Sequence, residues 1–297
     1  TSMSSTDEPV RQRAATQESG HSRDLERPPA PEPLRVPVID SHCHLDIADG
    51  DQGAEWLGVD DAVDRAAEVG VTRIVQVGYD VESSTWSARV AQAHEAVVAA
   101  VAIHPNEAPR ILAERGRAAL EGAWDSIAEL AAQPRVRAVG ETGLDYFRTG
   151  DEGRAAQEES FRRHIAMASA AGKALVIHDR DSHDEVISVL ESEGAPERVV
   201  FHCFSGDAAM ARHCADRGWY MSFAGPVTFK NADALREALV QVPADLLLVE
   251  TDAPYLTPTP FRGRPNASYL VPHIVRSMAQ TRGDDLDELC AALFANA

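Results

Sequence analysis

The alternation of short apolar runs with amphipathic segments constrains the fold of this chain more than any other feature. Each apolar run has the length and composition of a buried parallel strand, and each segment between two runs has helical periodicity. The predicted strands are residues 36–42, 73–77, 97–103, 136–140, 174–178, 199–202, 219–223 and 246–250. The predicted helices are residues 60–69, 82–94, 117–132, 155–171, 182–193, 208–217, 232–242, 268–281 and 286–294.

Eight strands that alternate with helices over residues 36–297 match the count and size of an α/β fold of the TIM (β/α)8 barrel type. A doubly wound open sheet is the alternative, but no glycine-rich dinucleotide loop follows the first strand. Residues 1–35 are rich in Ser, Thr, Pro, Glu and Arg and nearly lack large apolar side chains. We therefore expect a disordered tail over 1–35 and one barrel domain over 36–297.

Composition excludes several classes of protein. The 297-residue chain has 47 acidic and 28 basic side chains, for a net charge of −19. Such an acidic surface disfavours nucleic-acid binding driven by charge alone, although a locally positive mouth could still admit a phosphate chain. No apolar run is long enough for a membrane span, and the four cysteines form no CxxC pair. We expect a cytoplasmic protein without membrane association, and we infer no obligate protein partner.

Two histidines end the first predicted strand. Residues i and i+2 of a strand project from the same face, so His42 and His44 should point together into whatever that face encloses. Active sites of (β/α)8 barrels lie at the carboxyl ends of the strands. Reading the other strand ends adds the following potential metal ligands or catalytic residues: His104, Glu141, His178, His202 and Asp252.

Each of these residues has a simpler explanation when it is taken alone. His178 could be a hydrogen-bonded histidine at a barrel end, Glu141 could pair with an arginine, and Asp252 could cap a turn. Those explanations do not account for so many ligand-type residues at one rim. The pattern therefore predicts a divalent-metal site.

The residue types suit a site for two divalent ions, with Mg, Mn or Zn as the candidate metals. Glu141 lies centrally in the strand order and is the natural bridging ligand. His42, His44 and Asp252 would complete one ion's ligands, and His178 with His202 would complete the other's. Such ions activate water, and Asp252 could accept its proton as general base, so Glu141 and Asp252 are the expected catalytic residues.

The motifs that contain these residues resemble those of the TatD family, in family order. They are residues 40–46, 103–105, 140–146, 178–180, 202–206 and 250–256. The resemblance implies a TIM barrel, metal-dependent hydrolysis and deoxyribonuclease activity. Its ligand pattern corresponds to His42, His44, Glu141, His178, His202 and Asp252. Related metallohydrolases often bridge two metals with a carbamylated lysine on strand 4, but neither Lys173 nor Lys230 lies there.

Substrate contacts are expected from cations in the loops that follow the strands. Arg180 could bind a phosphate through charge-assisted hydrogen bonds, and the resemblance implies the same for His104. Each of the other loop cations could equally be a solvated surface charge. These further candidates are Arg148, Lys230, Arg262 and Arg264. We predict a phosphodiesterase that acts on DNA. An ester or amide hydrolase, such as an aminoacyl-tRNA deacylase or a small-molecule hydrolase, is the alternative, and a scaffold with a structural metal is disfavoured.

Overall fold

The computed structural model describes residues 6–50 and 56–297, so residues 1–5 of the expected tail and 51–55 of the expected barrel domain lie outside it. Ten strands are present in the described residues. They are β1 (Arg11–Arg13), β2 (Val38–Cys43), β3 (Ile47–Asp49), β4 (Val71–Val77), β5 (Val97–Val101), β6 (Val136–Asp145), β7 (Ala174–Arg180), β8 (Val199–Phe201), β9 (Tyr220–Phe223) and β10 (Leu247–Val249).

Ten α-helices accompany the strands in the same described part of the chain. They are α1 (Val59–Glu68), α2 (Val81–Ala93), α3 (Glu107–Arg115), α4 (Arg117–Ala131), α5 (Arg154–Ala171), α6 (His183–Glu193), α7 (Ala208–Asp216), α8 (Asp233–Gln241), α9 (Val271–Arg282) and α10 (Leu286–Asn296). None of these helices combines the length and apolarity that a membrane crossing requires. The order of strands and helices confirms the predicted TIM (β/α)8 barrel.

Local sequence explains several helix boundaries. Asp80 and Ser83 form a reciprocal capping box at the start of α2, where the Ser83 amide donates to Asp80 at 2.8 Å. The side chains of Asp207 and Asp285 accept from the first turns of α7 and α10 in the same way. Gly172 follows the last residue of α5, and its φ of 66° is the left-handed conformation that glycine adopts without a Cβ clash.

The chain divides into two compact units, and the first comprises residues 1–76 and 206–297. In this unit β2 pairs in parallel with β4, and β9 pairs in parallel with β10. At the carboxyl ends of β2 and β10, the amide of Asp252 donates to the carbonyl of His42 at 2.9 Å, and the amide of His44 donates to the carbonyl of Ala253 at 2.8 Å. These bonds hold the loop after β10 against the carboxyl end of β2.

The second unit comprises residues 77–205 and contains β5, β6, β7 and β8, which pair in that order and in parallel. Strand β6 continues five residues beyond the predicted end at Gly140. Gly143 makes this possible, because its φ is 136° and a Cβ there would overlap the carbonyl oxygen of His178 on β7. Glu141 was expected just after the strand, but it lies inside β6.

The described part of the tail, residues 6–35, makes definite contacts within the first unit, and we name it the N-terminal arm. Strand β1 pairs in parallel with β3, and the buried guanidinium of Arg23 forms an ion pair with Asp49. Leu34 is buried, and the hydroxyl of Tyr269 donates to the carbonyl of Pro28 at 2.5 Å. Composition does not encode these contacts, because each depends on a partner distant in sequence. The disorder expected for residues 1–35 stays a prediction.

Candidate metal centre

One donor set lies in the first unit. The Nε2 atoms of His42 and His44 lie 3.4 and 3.3 Å from the same oxygen, Oδ1 of Asp252. The two imidazole rings are almost perpendicular, with centroids 5.1 Å apart. Both histidines are buried, whereas the Asp252 side chain keeps 17% of its surface exposed. The predicted grouping of these three residues is thus present in the structure.

Asp40 fixes the backbone around this set. Its buried carboxylate accepts the hydroxyl of Thr251 at 2.6 Å, the hydroxyl of Ser268 at 2.7 Å and the amide of Thr251 at 3.0 Å. The amide of His42 donates to the same carboxylate at 3.2 Å. Burial raises the pKa of Asp40 to about 6, against the opposing effect of these hydrogen bonds. Asp40 therefore ties β2 to the residue that precedes Asp252.

Asp252 itself adopts a left-handed backbone conformation with φ of 55°. This region is uncommon for residues other than glycine, although Asp and Asn tolerate it better than most. Its amide is bonded to His42, and its carbonyl accepts the amide of Tyr255 at 3.0 Å. The turn thereby aims the Asp252 carboxylate at the two imidazoles.

The other donor set lies in the second unit around one carboxylate oxygen, Oε2 of Glu141. Nε2 of His202 lies 2.9 Å from it, Nδ1 of His178 lies 3.0 Å from it, and Nε2 of His104 lies 3.5 Å from it. The ring centroids of His178 and His104 are 4.5 Å apart. Strands β6, β7 and β8 bring Glu141, His178 and His202 together, as the strand-end positions predicted.

His104 and His178 differ in the partner of the ring nitrogen that does not face Glu141. Nδ1 of His104 accepts the amide of Asn106 at 3.0 Å, so Nε2 of the neutral ring carries the hydrogen and acts as a donor. Burial, followed by the neighbouring His178, lowers the pKa of His104. A neutral N–H donor suits contact with a substrate oxygen, which is the role that the sequence predicted for His104.

Asp145, which the sequence reasoning did not single out, lies beside the predicted ligand His178. Its Oδ2 lies 2.9 Å from Nε2 of His178, while its Oδ1 accepts the amides of Phe147 and Arg148 at 3.0 and 2.8 Å. Burial alone would raise the pKa of Asp145, but the bonds from His178 and Arg148 hold it well below its usual range. The signal available was its place in the motif 140–146, five residues beyond the predicted strand end.

His178 thus lies between two carboxylates. Burial by itself lowers the pKa of His178, but the bonds to Asp145 and Glu141 prevail and raise it to about 9. A second carboxylate that bonds the far nitrogen of a ligand histidine fixes the orientation and tautomer of the ring in many metal sites. Asp145 is placed to do this for His178.

The donor separations fit divalent ions. Nitrogen and oxygen ligands bind such ions at about 2.0–2.2 Å, so two ligands of one ion lie roughly 3 Å apart. The distances of 3.3 and 3.4 Å in the first unit, and of 2.9 and 3.0 Å from Glu141 to His202 and His178 in the second, are of this size. Each set combines imidazoles with a carboxylate, which is a donor chemistry shared by Zn, Mn and other divalent metals.

The predicted cationic residues differ in their surroundings. Arg180 is exposed, and its guanidinium carbon lies 3.8 Å from the ring centroid of Phe147. Arg262 covers the ring of Phe229 at 3.6 Å. Arg264 donates to the carbonyls of Glu26 and Arg27 in the N-terminal arm, at 2.8 and 3.2 Å, which accounts for its position without a substrate. Among the described residues, none of the four cysteines (Cys43, Cys203, Cys214 and Cys290) forms a disulfide bond.

Comparisons with known proteins agree with this chemistry. The sequence profile of the family described as TatD related DNase matches residues 39–297. The uncharacterized metal-dependent hydrolase TatD of Mycobacterium tuberculosis is 45% identical over 264 residues, which cover 88% of this chain and 96% of its own. The 3'-5' ssDNA/RNA exonuclease TatD of Citrobacter rodentium is 34% identical over 245 residues, which cover 80% and 89% of the two chains.

The fold comparison leads to the same group of proteins. The crystal structure of YjjV, a TatD homologue from Escherichia coli, matches with a TM-score of 0.77 at 25% sequence identity, over 87% of this chain and 95% of that one. The family match includes every residue of both donor sets. The chain is therefore a metal-dependent hydrolase, and it belongs to the TatD family.

Proposed function

We propose that this enzyme hydrolyses phosphodiester bonds in nucleic acid, with DNA as its main substrate. The observation that carries the proposal is the pair of imidazole–carboxylate donor sets, each spaced for a divalent ion. The relative from C. rodentium, whose name states exonuclease activity on single-stranded DNA and RNA, supports the choice of substrate. A cytoplasmic location and the lack of an obligate protein partner stay predictions.

We assign one divalent ion to each donor set. His42, His44 and Asp252 would hold one, and Glu141, His178 and His202 would hold the other. The bridging role of Glu141 stays a prediction, as does the identity of the ions as Mg, Mn or Zn. When bound, such ions supply Lewis acidity toward a phosphoryl oxygen and make water acidic enough to act as a nucleophile near neutral pH.

The chain's own residues would perform the remaining steps. Asp252 has a partly exposed carboxylate and would accept the proton of the attacking water. His104 would donate its Nε2 hydrogen to a phosphate oxygen, and Arg180 would hold a neighbouring phosphate through charge-assisted hydrogen bonds. Asp145 would keep the His178 ring in its orientation.

The test uses metal-free full-length protein with single-stranded DNA, double-stranded DNA and RNA, and adds back Mg, Mn and Zn separately. We expect cleavage to return with a divalent ion and to disappear in Asp252→Asn. Asp245→Asn changes an exposed carboxylate of the same unit and should leave cleavage unchanged. If no metal restores cleavage of any nucleic acid while ester or aminoacyl-tRNA substrates are hydrolysed, the phosphodiesterase assignment is wrong and the alternative hydrolase takes its place.

A further inference from the structure

An exposed aromatic ring lies close to the donor set of the second unit. Phe147 leaves 58% of its surface exposed, and Val240 is the other large apolar side chain more than half exposed in the described part of the chain. Exposed apolar residues are common, so exposure alone does not indicate a function. The surroundings of Phe147 distinguish it from Val240.

The guanidinium of Arg180 stacks on the Phe147 ring, with 3.8 Å between its Cζ atom and the ring centroid. The Cζ atom of Arg148 lies 5.7 Å from the same centroid. The backbone keeps this pair in place, because the amide of Tyr146 donates to the carbonyl of Arg180 at 2.9 Å. Asp145 and Arg180 are also register partners in the β6–β7 pair. Phe147 and Arg180 therefore form a flat, cationic surface supported by two strands.

This surface is connected directly to a metal-donor residue. The Asp145 carboxylate accepts the amides of Phe147 and Arg148 through Oδ1, and its Oδ2 is bonded to Nε2 of His178. Arg180 follows His178 by two residues on β7. Any substrate held by the donor set around Glu141 and His178 would thus have Phe147 and Arg180 as near neighbours.

We propose that Phe147 and Arg180 form a stacking site for a nucleobase adjacent to the bond that is cleaved. This inference rests on the proposed phosphodiesterase function and specifies how the substrate is held. Aromatic side chains bind single-stranded nucleic acid by stacking on the faces of its bases, without strict sequence preference. A stacked arginine also keeps its N–H edge for a phosphate, so one pair of residues can contact both the base and the backbone.

A protein partner fits this surface less well. Protein-binding patches are contiguous and apolar, whereas Phe147 is surrounded by the exposed Arg148 and Arg180. A nucleotide combines an aromatic face with a phosphate, and the Phe147–Arg180 pair offers a complement to each. The whole surface lies within the second unit, at the end of β7 and just beyond the end of β6.

The experiment compares two single-stranded DNA oligonucleotides, one with normal bases and one with abasic residues at and next to the cleaved position. The value of kcat/KM for each is measured with wild-type protein, Phe147→Ala, Phe147→Leu and Phe147→Trp, all loaded with the metal that supports cleavage. Phe147→Leu retains apolar volume but has no aromatic face, and Phe147→Trp retains the face. Val240→Ala is the matched control for removal of an exposed apolar side chain.

Wild-type protein should cleave the normal oligonucleotide more efficiently than the abasic one by roughly 5- to 150-fold, the range measured for loss of one base–aromatic stack. Phe147→Ala and Phe147→Leu should lose most of this preference, because kcat/KM falls for the normal oligonucleotide and changes little for the abasic one. Phe147→Trp and Val240→Ala should retain the preference. An unchanged preference in Phe147→Ala, with metal content equal to wild type, would overturn the stacking site and leave the phosphodiesterase function intact. If wild-type protein cleaves no nucleic acid at all, the proposed function fails first and the stacking site fails with it.

Discussion

The Nε2 atom of His178 lies 2.9 Å from Oδ2 of Asp145, on the side of the ring opposite Glu141. A partner of this kind fixes the ring of a ligand histidine and raises its basicity. Its loss typically lowers metal affinity by about 10- to 100-fold. We expect Asp145→Asn to weaken metal binding by roughly this factor and to lower activity at limiting metal. Isothermal titration of metal-free protein measures the affinity.

The matched control for this variant is Asp181→Asn, which makes the same change at an exposed carboxylate three residues beyond His178. It should bind metal as wild type does. An Asp145→Asn protein with unaltered metal affinity would show that Asp145 does not orient His178.

The buried carboxylate of Asp40 should be necessary for stability. Asparagine has one oxygen acceptor, so Asp40→Asn cannot accept all four hydrogen bonds from Thr251, Ser268 and His42. Leaving one or more of these buried donors unsatisfied costs about 1–3 kcal/mol each in the free energy of unfolding. Chemical denaturation of the variant measures this loss, and Ser268→Ala, which removes only one donor, should be less destabilised than Asp40→Asn.

Buried His164 should make stability depend on pH. On α5 it accepts the amide of Ile103 at 3.0 Å and bonds the carbonyl of Ser160 at 2.6 Å, and burial lowers its pKa from 6.5 to about 4. The unfolded chain therefore takes up a proton at higher pH than the folded chain. The contribution of His164 is full above pH 6.5 and is lost as the pH falls to about 4, by up to about 3 kcal/mol.

Replacing His164 by Gln removes this titration. Denaturation at a series of pH values should show that His164→Gln has a flatter decline in stability between pH 6.5 and 4 than wild type. His21→Gln, a change at an exposed histidine, should leave the decline as it is in wild type. Parallel profiles for wild type and His164→Gln would contradict the assignment of a neutral buried imidazole.

The N-terminal arm should stabilise the first unit through Arg23 and Asp49. Both side chains are buried, and removal of one partner of a buried ion pair typically costs about 3–5 kcal/mol. The loss in Arg23→Ala should lie at the lower end of this range, because Arg13 still lies 3.6 Å from Asp49. We expect Arg23→Ala and Asp49→Ala each to be strongly destabilised, and the double variant to be less destabilised than the sum of the two. If each single variant lost little stability and the two losses were strictly additive, the ion pair would not hold the arm. That result would favour the disordered tail that composition predicts.

The periodic apolar runs located all eight barrel strands, because strands buried on both faces have continuous apolar sequences. Strands β1 and β3 were not predicted, since each has three residues and pairs only with the other. Helix α3 was also missed. It contains Pro109, which the first turn of a helix tolerates but which a sequence pattern treats as a break.

The six expected ligands came from strand ends, because a barrel gathers those ends at one rim. Asp145 was not selected by this reasoning because the strand was predicted to end at Gly140, whereas β6 continues to Asp145. Asp40 escaped it because its importance lies in hydrogen bonds to Thr251 and Ser268, more than 200 residues away. Long-range contacts of this type depend on the folded chain and leave no local pattern.

The most direct test of the account is metal content and DNA hydrolysis measured together in Glu141→Ala. Glu141 is the carboxylate at the centre of the second donor set, with three imidazole nitrogens within 3.5 Å of one oxygen. Elemental analysis after dialysis against the activating metal gives the ion content, and the same sample is assayed on single-stranded DNA. We predict that the variant loses the ion of the second donor set, and loses hydrolysis with it, while remaining folded. Full activity of Glu141→Ala in a metal-titrated preparation would contradict the account.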